Sequence, residues 1–480
     1  MRPPSLGDPA GQTVEGHRSG RGQGSTSTHS LSIPGSPLVF RNTFASPPTR
    51  PISVSIQAEP TGIRSRQTFR SAPRPRSTMM SDADVIEKPW TTKGEPFSRI
   101  AYLITYSVAC LGIAAGAIRC YFGWKSVNLI TGNLCLVLDE SFANGGDGLF
   151  GENATFFREV DMSGFGNGEF EMTTNSSNNS FVRDGMLYIY PTLTSDEIGS
   201  DAIFNGYTYN ITGCTEAYWT ACSAVSNSTS GTVINPIQSA RLTTRYSASI
   251  RYGRVEVRAK IPKGEWLWPA IWMMPVDSVY GAWPASGEID IMEARGNGIR
   301  YEYQGRNYVR GTLNWGPTST LNSGWRTYGY WQSRPKTYDE GFHIFSLEWT
   351  EDFIRIYVDT RLHAMLDLTI GESFWDRGDY ATTYQNGSET VALTDPWVNG
   401  TKAAPFDQEF YLILDVGVGG TNGWFPDGDG KPWIDASTTA MRSFAEAQDK
   451  WYPTWPTGDD RALIIDYVKM WQLSSDACSV

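Results

Sequence analysis

From about residue 134 to residue 473, the chain alternates apolar and polar side chains, and this limits what it can fold into more than any other feature. Through residues 246–261, Val255, Val257, Ala259 and Ile261 alternate with Arg254, Glu256, Arg258 and Lys260. A period of two puts one set on each face of a strand. This stretch reads as two strands with a bend near Tyr252-Gly253. Further strands are predicted over 134–138, 186–190, 270–274, 345–349, 354–358, 411–416 and 463–468, with Gly, Pro, Asn and Asp punctuating the gaps. Helical periodicity is scarce, and residues 438–451 are its best candidate. Many strands with turn signals predict an all-β sandwich or barrel. We expect one domain over 134–473, with no internal repeat and a loop-rich insertion around 191–240.

One strand is chemically unusual. Glu288, Asp290 and Glu293 lie within six residues, separated by Ile289, Ile291 and Met292. Strict alternation gives Glu288 and Asp290 one face and sends Glu293 to the other. One extra residue in a β-bulge, most simply at Ile291-Met292, would return Glu293 to the acid face. Such a row is costly, because like charges close together raise at least one pKa. Glycoside hydrolysis needs that arrangement: one ionised carboxylate beside one carboxylic acid. A solvated strand face and a calcium-ligand cluster use the same residue types and stay open on the spacing alone.

Composition excludes other chemistries. Net charge is −11. Ten arginines against Asp8, Glu15 and Glu59 make residues 1–78 about +7, which leaves about −18 for the remainder. An acidic body argues against nucleic acid as a partner. Only His17, His29, His343 and His363 are present, too few for histidine zinc sites or a Ser-His-Asp triad. Aromatic residues make up 13%, which suits both a β core and platforms for sugar stacking.

Residues 1–78 are rich in Ser, Pro, Arg, Gly and Thr, so disorder is expected, with 1–98 forming a cytoplasmic tail. Residues 100–118 carry no charge and are bracketed by Arg99 and Arg119. At 1.5 Å per residue they span about 28 Å, the thickness of the hydrocarbon core. A membrane helix over 99–119 is expected. Seven glycosylation sequons, at Asn153, Asn175, Asn178, Asn210, Asn227, Asn386 and Asn399, all follow this run and none precedes it. They imply a single-pass type II anchor with the main body lumenal or extracellular, or a secreted form if the chain is cleaved near residues 115–117. The cysteines fit an oxidising compartment. Cys214 and Cys222 bracket a short loop and are expected to pair. Cys135 and Cys478 stand at the two ends of the globular part and would join them.

Several ordered blocks resemble glycoside hydrolase family 16, in its laminarinase and β-1,3-glucan recognition protein branch. They are Ala240-Arg241-Leu242-Thr243-Thr244, residues 252–260, Trp266-Leu267-Trp268-Pro269-Ala270-Ile271-Trp272-Met273-Met274-Pro275, Ser286-Gly287-Glu288-Ile289-Asp290-Ile291-Met292-Glu293, residues 410–420 and Ile465-Asp466-Tyr467-Val468. The resemblance covers most of 134–473 and says nothing about residues 1–130. It implies a β-jelly-roll of the concanavalin A-like lectin and glucanase type, with an open concave cleft. It also implies retaining endo-hydrolysis of β-1,3- or mixed β-1,3/1,4-glucan without a required cofactor. A transglycosylase and a non-catalytic β-glucan receptor are its alternatives. By position in the motif, Glu288 would be the nucleophile, Glu293 the acid/base and Asp290 the residue that tunes them. Trp268, Trp272 and Trp283 flank the acids and are expected to line the cleft, Trp272 being nearest to a core role. Trp424 is expected from a loop at its edge. Arg254 would bind sugar hydroxyls or pair with Glu256. Asn314 stands where the family commonly has histidine and would bind a sugar without charge. Asp466 would ligate a structural calcium. The glucan polysaccharide is the expected partner.

Overall fold

The computed structural model describes Ser81, Glu87, Lys88, Trp90 and residues 96–478. The expected disorder of residues 1–98 falls almost wholly outside these. The chain divides into two units, Met1–Pro96 and Phe97–Val480, and every strand of the sandwich belongs to the second.

Ser98–Lys125 is one α-helix of 28 residues with no buried side chain. It is long and apolar enough to cross a membrane, with a mean hydropathy of 1.8 over its most apolar stretch. The helix runs past the predicted end at residue 119. Residues 120–125, Cys-Tyr-Phe-Gly-Trp-Lys, hold no proline to stop it. Lys125 in the last turn also complements the negative end of the helix dipole.

Beyond the helix the fold is an all-β sandwich. Edge to edge, the first sheet runs Ala364–Thr369, Phe353–Val358, His343–Trp349, Gly253–Lys260, Leu463–Ser474, Met186–Ile189 and Ser180–Arg183, and Asn133–Glu140 also pairs with Leu463–Ser474. The second runs Tyr328–Gln332, Tyr308–Asn314, Glu288–Glu293, Leu267–Pro275, Phe410–Val418, Arg241–Thr243 and Phe157–Glu159, and Ser249–Ile250 also pairs with Phe410–Val418. Every pairing in these two sheets is antiparallel. The predicted alternation holds along Gly253–Lys260, where Val255, Val257 and Ala259 are fully buried and the charged residues between them are half-buried.

The core collects inward-facing side chains of both sheets, among them Ile271, Ile289, Ile291 and Met292 from one and Phe345, Leu347, Ile354 and Ile356 from the other. Burying each such side chain contributes roughly 1.5–3 kcal/mol. Gly311 marks a close approach between the sheets, since a β-carbon there would stand 2.8 Å from the Ile356 side chain.

The predicted helix over 438–451 is two short ones, Ala440–Glu446 and Gln448–Trp451. Residues 191–240 form a small subassembly with its own apolar cluster around Ile203, Ile211, Val233 and Ile234. Cys135 pairs with Cys478, and Cys214 with Cys222. Asn153, Asn175, Asn178, Asn210, Asn227 and Asn399 are exposed, and Asn386 ends the strand Thr383–Asn386.

Candidate active site

The acid-bearing strand, Glu288–Glu293, sits between Leu267–Pro275 and Tyr308–Asn314. Its pairing breaks where the spacing of the acids predicts. On one side Met292 faces Ile271 and Asp290 faces Trp272, so Ile291 has no opposite residue. On the other, Asp290 faces Thr312 and Glu293 faces Arg310, so Ile291 and Met292 share the single position of Gly311. That is a β-bulge. Ile291 and Met292 are both fully buried, which anchors the bulge in the core. The extra residue lets Glu288, Asp290 and Glu293 line one pocket together.

The pocket has a volume of about 380 Å³. Trp283, Trp268 and Trp272 stand beside the acids, and Arg241, Asp415, Glu169 and Phe165 make up much of the remaining wall. Trp283 Nε1–H donates to Glu288 Oε2 at 3.0 Å. Asn314 Nδ2 donates to Glu288 Oε1 at 2.8 Å and to Asp290 Oδ2 at 2.9 Å. Trp268 Nε1–H donates to Glu293 Oε1 at 3.2 Å. Every acid in the row thus has a fixed neutral donor.

Electrostatics divides the row. Burial, then the charges of Glu288 and Glu293, push the Asp290 carboxyl well above its ordinary range. Its closeness to Glu288 favours the protonated form of Asp290 further. Burial and Glu293 raise Glu288 to about 7, while Asn314 and Trp283 pull it back toward the ionised form. Burial also raises Glu293, opposed by Arg310, Trp268 and Arg295. The row thus favours a proton at its centre, and the carboxyls on either side are both raised, Glu288 to about 7.

Some predicted residues do other work. Asn314 was expected to bind sugar, but its amide is spent on Glu288 and Asp290, and its Oδ1 accepts from Asn322 Nδ2 at 2.8 Å. It is a positioning residue for the acids. Trp272, expected with Trp268 and Trp283 to line the cleft though nearest of the three to a core role, does line the pocket, and it donates from Nε1 to Asp415 Oδ1 at 3.0 Å. Trp424 is only 9% exposed and stacks behind Trp268 with ring centroids 4.9 Å apart. It supports a wall instead of forming an edge. Arg254 lies on the first sheet, away from the acid strand, and pairs with Glu256, which was one of its two expected roles. Asp466 ion-pairs with Arg258, and no group of three or more His, Cys, Asp or Glu side chains able to hold a metal occurs among the described residues.

Sequence reasoning missed Arg241, Asp415, Glu169, Phe165, Arg310 and Asn322. Asp415 had a readable signal, a lone acid in the apolar run 411–418. Its carboxyl is raised to about 8, chiefly by burial, and Arg241 opposes the rise. The Arg241 guanidinium packs on the rings of Phe165 and Trp272, 4.1 and 4.7 Å from their centroids, and ion-pairs with Glu159 at 2.6 Å.

Residues 215–382 match the family described as Glycosyl hydrolases family 16. The Beta-1,3-glucan-binding protein of Penaeus monodon is 42% identical over 354 residues, covering 71% of this chain and 91% of that protein. The chain belongs to glycoside hydrolase family 16. Within family 16 it falls in the laminarinase and β-1,3-glucan recognition protein branch. Another relative, Glucan endo-1,3-beta-glucosidase A1 of Niallia circulans, is 34% identical over 54% of this chain and 29% of that protein. Three further relatives are longer, and the chain spans 55%, 56% and 58% of their lengths. Among solved structures, the laminarinase from Rhodothermus marinus superposes with a TM-score of 0.44 at 24% identity, covering 72% of this chain and 100% of that one.

Proposed function

We propose that this family 16 chain is a retaining endo-hydrolase of β-1,3- or mixed β-1,3/1,4-glucans, and that its pocket is the catalytic part of an open cleft. The observation that carries this reading is the row itself: three acids, Asp290 buried and Glu288 and Glu293 half-buried, aligned on one pocket wall by a bulge, each held by a fixed donor. Glu288 is the nucleophile. Its carboxylate attacks the anomeric carbon while Glu293 gives its proton to the departing glycosidic oxygen. The glycosyl–Glu288 ester then yields to a water molecule, whose proton returns to Glu293. Asp290 holds the proton that keeps the two outer charges compatible. The indoles of Trp268, Trp272 and Trp283 offer faces for sugar rings.

A second reading, glucan binding without cleavage, is favoured by the name of the 42%-identical Penaeus monodon relative. Incubation of the purified protein with laminarin, lichenan and chitin, followed by product-length analysis, separates the possibilities. Shorter products from laminarin or lichenan are expected. Longer products mean glycosyl transfer to a second glucan, and binding with no product means a receptor; either would sink the hydrolase reading.

The helix Ser98–Lys125 is proposed to span the membrane once, with the sandwich on the lumenal or extracellular side. The exposed sequons and the two disulfides that follow the helix support this. Treating the cell-expressed protein with peptide N-glycosidase should lower its mass by several glycans, and external protease should reach the sandwich on intact cells. An unglycosylated, protease-protected sandwich would overturn the topology.

A further inference from the structure

The loop closed by the Cys214–Cys222 disulfide takes no part in the acid chemistry, yet it holds two aromatic side chains out in solvent. Tyr218 is 50% exposed and Trp219 61%. Apolar surface left in water forgoes roughly 25 cal/mol per Å², and exposed aromatic rings offer faces on which a partner's apolar surface can pack.

This loop is fastened to the chain that leads into the pocket. Thr215 N–H donates to the Val160 carbonyl at 3.0 Å, and Met162 N–H to the Ala221 carbonyl at 2.9 Å. The Tyr218 hydroxyl donates to Ser163 Oγ at 3.2 Å. Two residues after Ser163, Phe165 lines the pocket and covers Arg241. Phe165 has φ of +47°, a conformation strained for a side chain of this size and tolerated between Gly164 and Gly166. Hydrogen bonds from Thr421 N–H to the Asn167 carbonyl, and from Asn422 Nδ2 to Asn167 Oδ1, hold the next turn in place. The pocket wall and the disulfide loop are therefore one continuous, braced structure.

We propose that Tyr218 and Trp219 form a distal stacking subsite for a β-glucan chain that leaves the acid pocket past Phe165. This rests on the glucan reading above and adds to it a preference for long chains. The C–H face of a glucose ring packs on an indole, and an aromatic anchor loses little rotamer freedom on binding. The disulfide fixes the loop before the sugar arrives, which lowers the ordering cost. On this proposal a short oligosaccharide held at the acids leaves the loop empty, and a polymer covers it.

The test uses the full chain in detergent, comparing wild type with Trp219→Ala, Tyr218→Ala/Trp219→Ala and Trp219→Phe. The expected result is a rise of about tenfold in the laminarin KM and Kd for both alanine variants, equal to about 1.4 kcal/mol. We expect kcat to be unchanged, laminaritriose cleavage to be unaffected, and Trp219→Phe to keep most of the affinity. Because both side chains are exposed, circular dichroism should show no loss of fold. Equal effects on polymer and trisaccharide, or no effect on either, would overturn the subsite. If the wild type binds laminarin without cleaving it, the calorimetric Kd alone decides the subsite and only the hydrolase reading falls. If it binds no glucan, both fall.

Discussion

Replacing Glu288 or Glu293 by Gln lowers the kcat for laminarin by roughly 10²–10⁴-fold or more, with the fold intact. The two losses have different causes, and azide separates them. In Glu288→Ala the nucleophile's face of the sugar is empty, so azide attacks there directly and gives the α-glycosyl azide. In Glu293→Ala the covalent ester on Glu288 still forms when the leaving group is good, and azide displaces it from the opposite face to give the β-glycosyl azide. Products of the same configuration from both variants would refute the assignment of roles. The pH profile reads the positioning residue. Glu288 must be ionised to attack, and its carboxyl already stands at about 7. The Asn314 hydrogen bonds favour its ionised form. Losing them raises Glu288 further, so Asn314→Ala should move the acidic limb of kcat/KM to higher pH. A limb that stays in place would show that Asn314 does not act through Glu288.

Glu348→Ala destabilises the sandwich by about 3–5 kcal/mol, measured as the shift in denaturation midpoint at constant m-value. Glu348 is fully buried and accepts from Arg355 Nη1 at 3.2 Å, Arg361 Nη2 at 2.6 Å and the Tyr357 hydroxyl at 3.3 Å. Arg355 is itself only 3% exposed, and it also donates to the Asn128 carbonyl at 3.0 Å. That bond ties the segment after the long helix to the first sheet. Without Glu348, Arg355 loses the one fully buried carboxylate among its partners, which is the costly case for an ion pair. Arg361→Ala should cost only about 1 kcal/mol, because its side chain is half in water. The double variant Glu348→Ala/Arg355→Ala should recover part of the loss by removing the stranded charge. A Glu348→Ala protein within about 1 kcal/mol of wild type would contradict the argument.

Much of the site was legible because its strongest signal is local. Three acids at spacings of two and three on an apolar strand can share a face only through a bulge, and the bulge falls at Ile291-Met292, where the spacing put it. The tryptophans of the flanking strand and loop were legible for the same reason. Arg254 and Trp424 show where locality ends. Each belongs to a recognisable block, but a block does not say which sheet or which side of a neighbouring ring it occupies. Asn314 shows this most sharply. An amide 26 residues along the chain from Glu288 reads as a free sugar ligand until strand pairing sets it directly opposite that carboxylate.

The sequence by itself determined the all-β class, several of the core strands, the apolar helix, the acid face and its bulge, because periodicity depends only on neighbouring residues. The tertiary structure decided the rest of the pocket wall. Asp415 meets Trp272 across 143 residues of chain, and Arg241 reaches both through the pairing of central strands. Those contacts follow from register between distant strands, which is fixed when two sheets close on a common core.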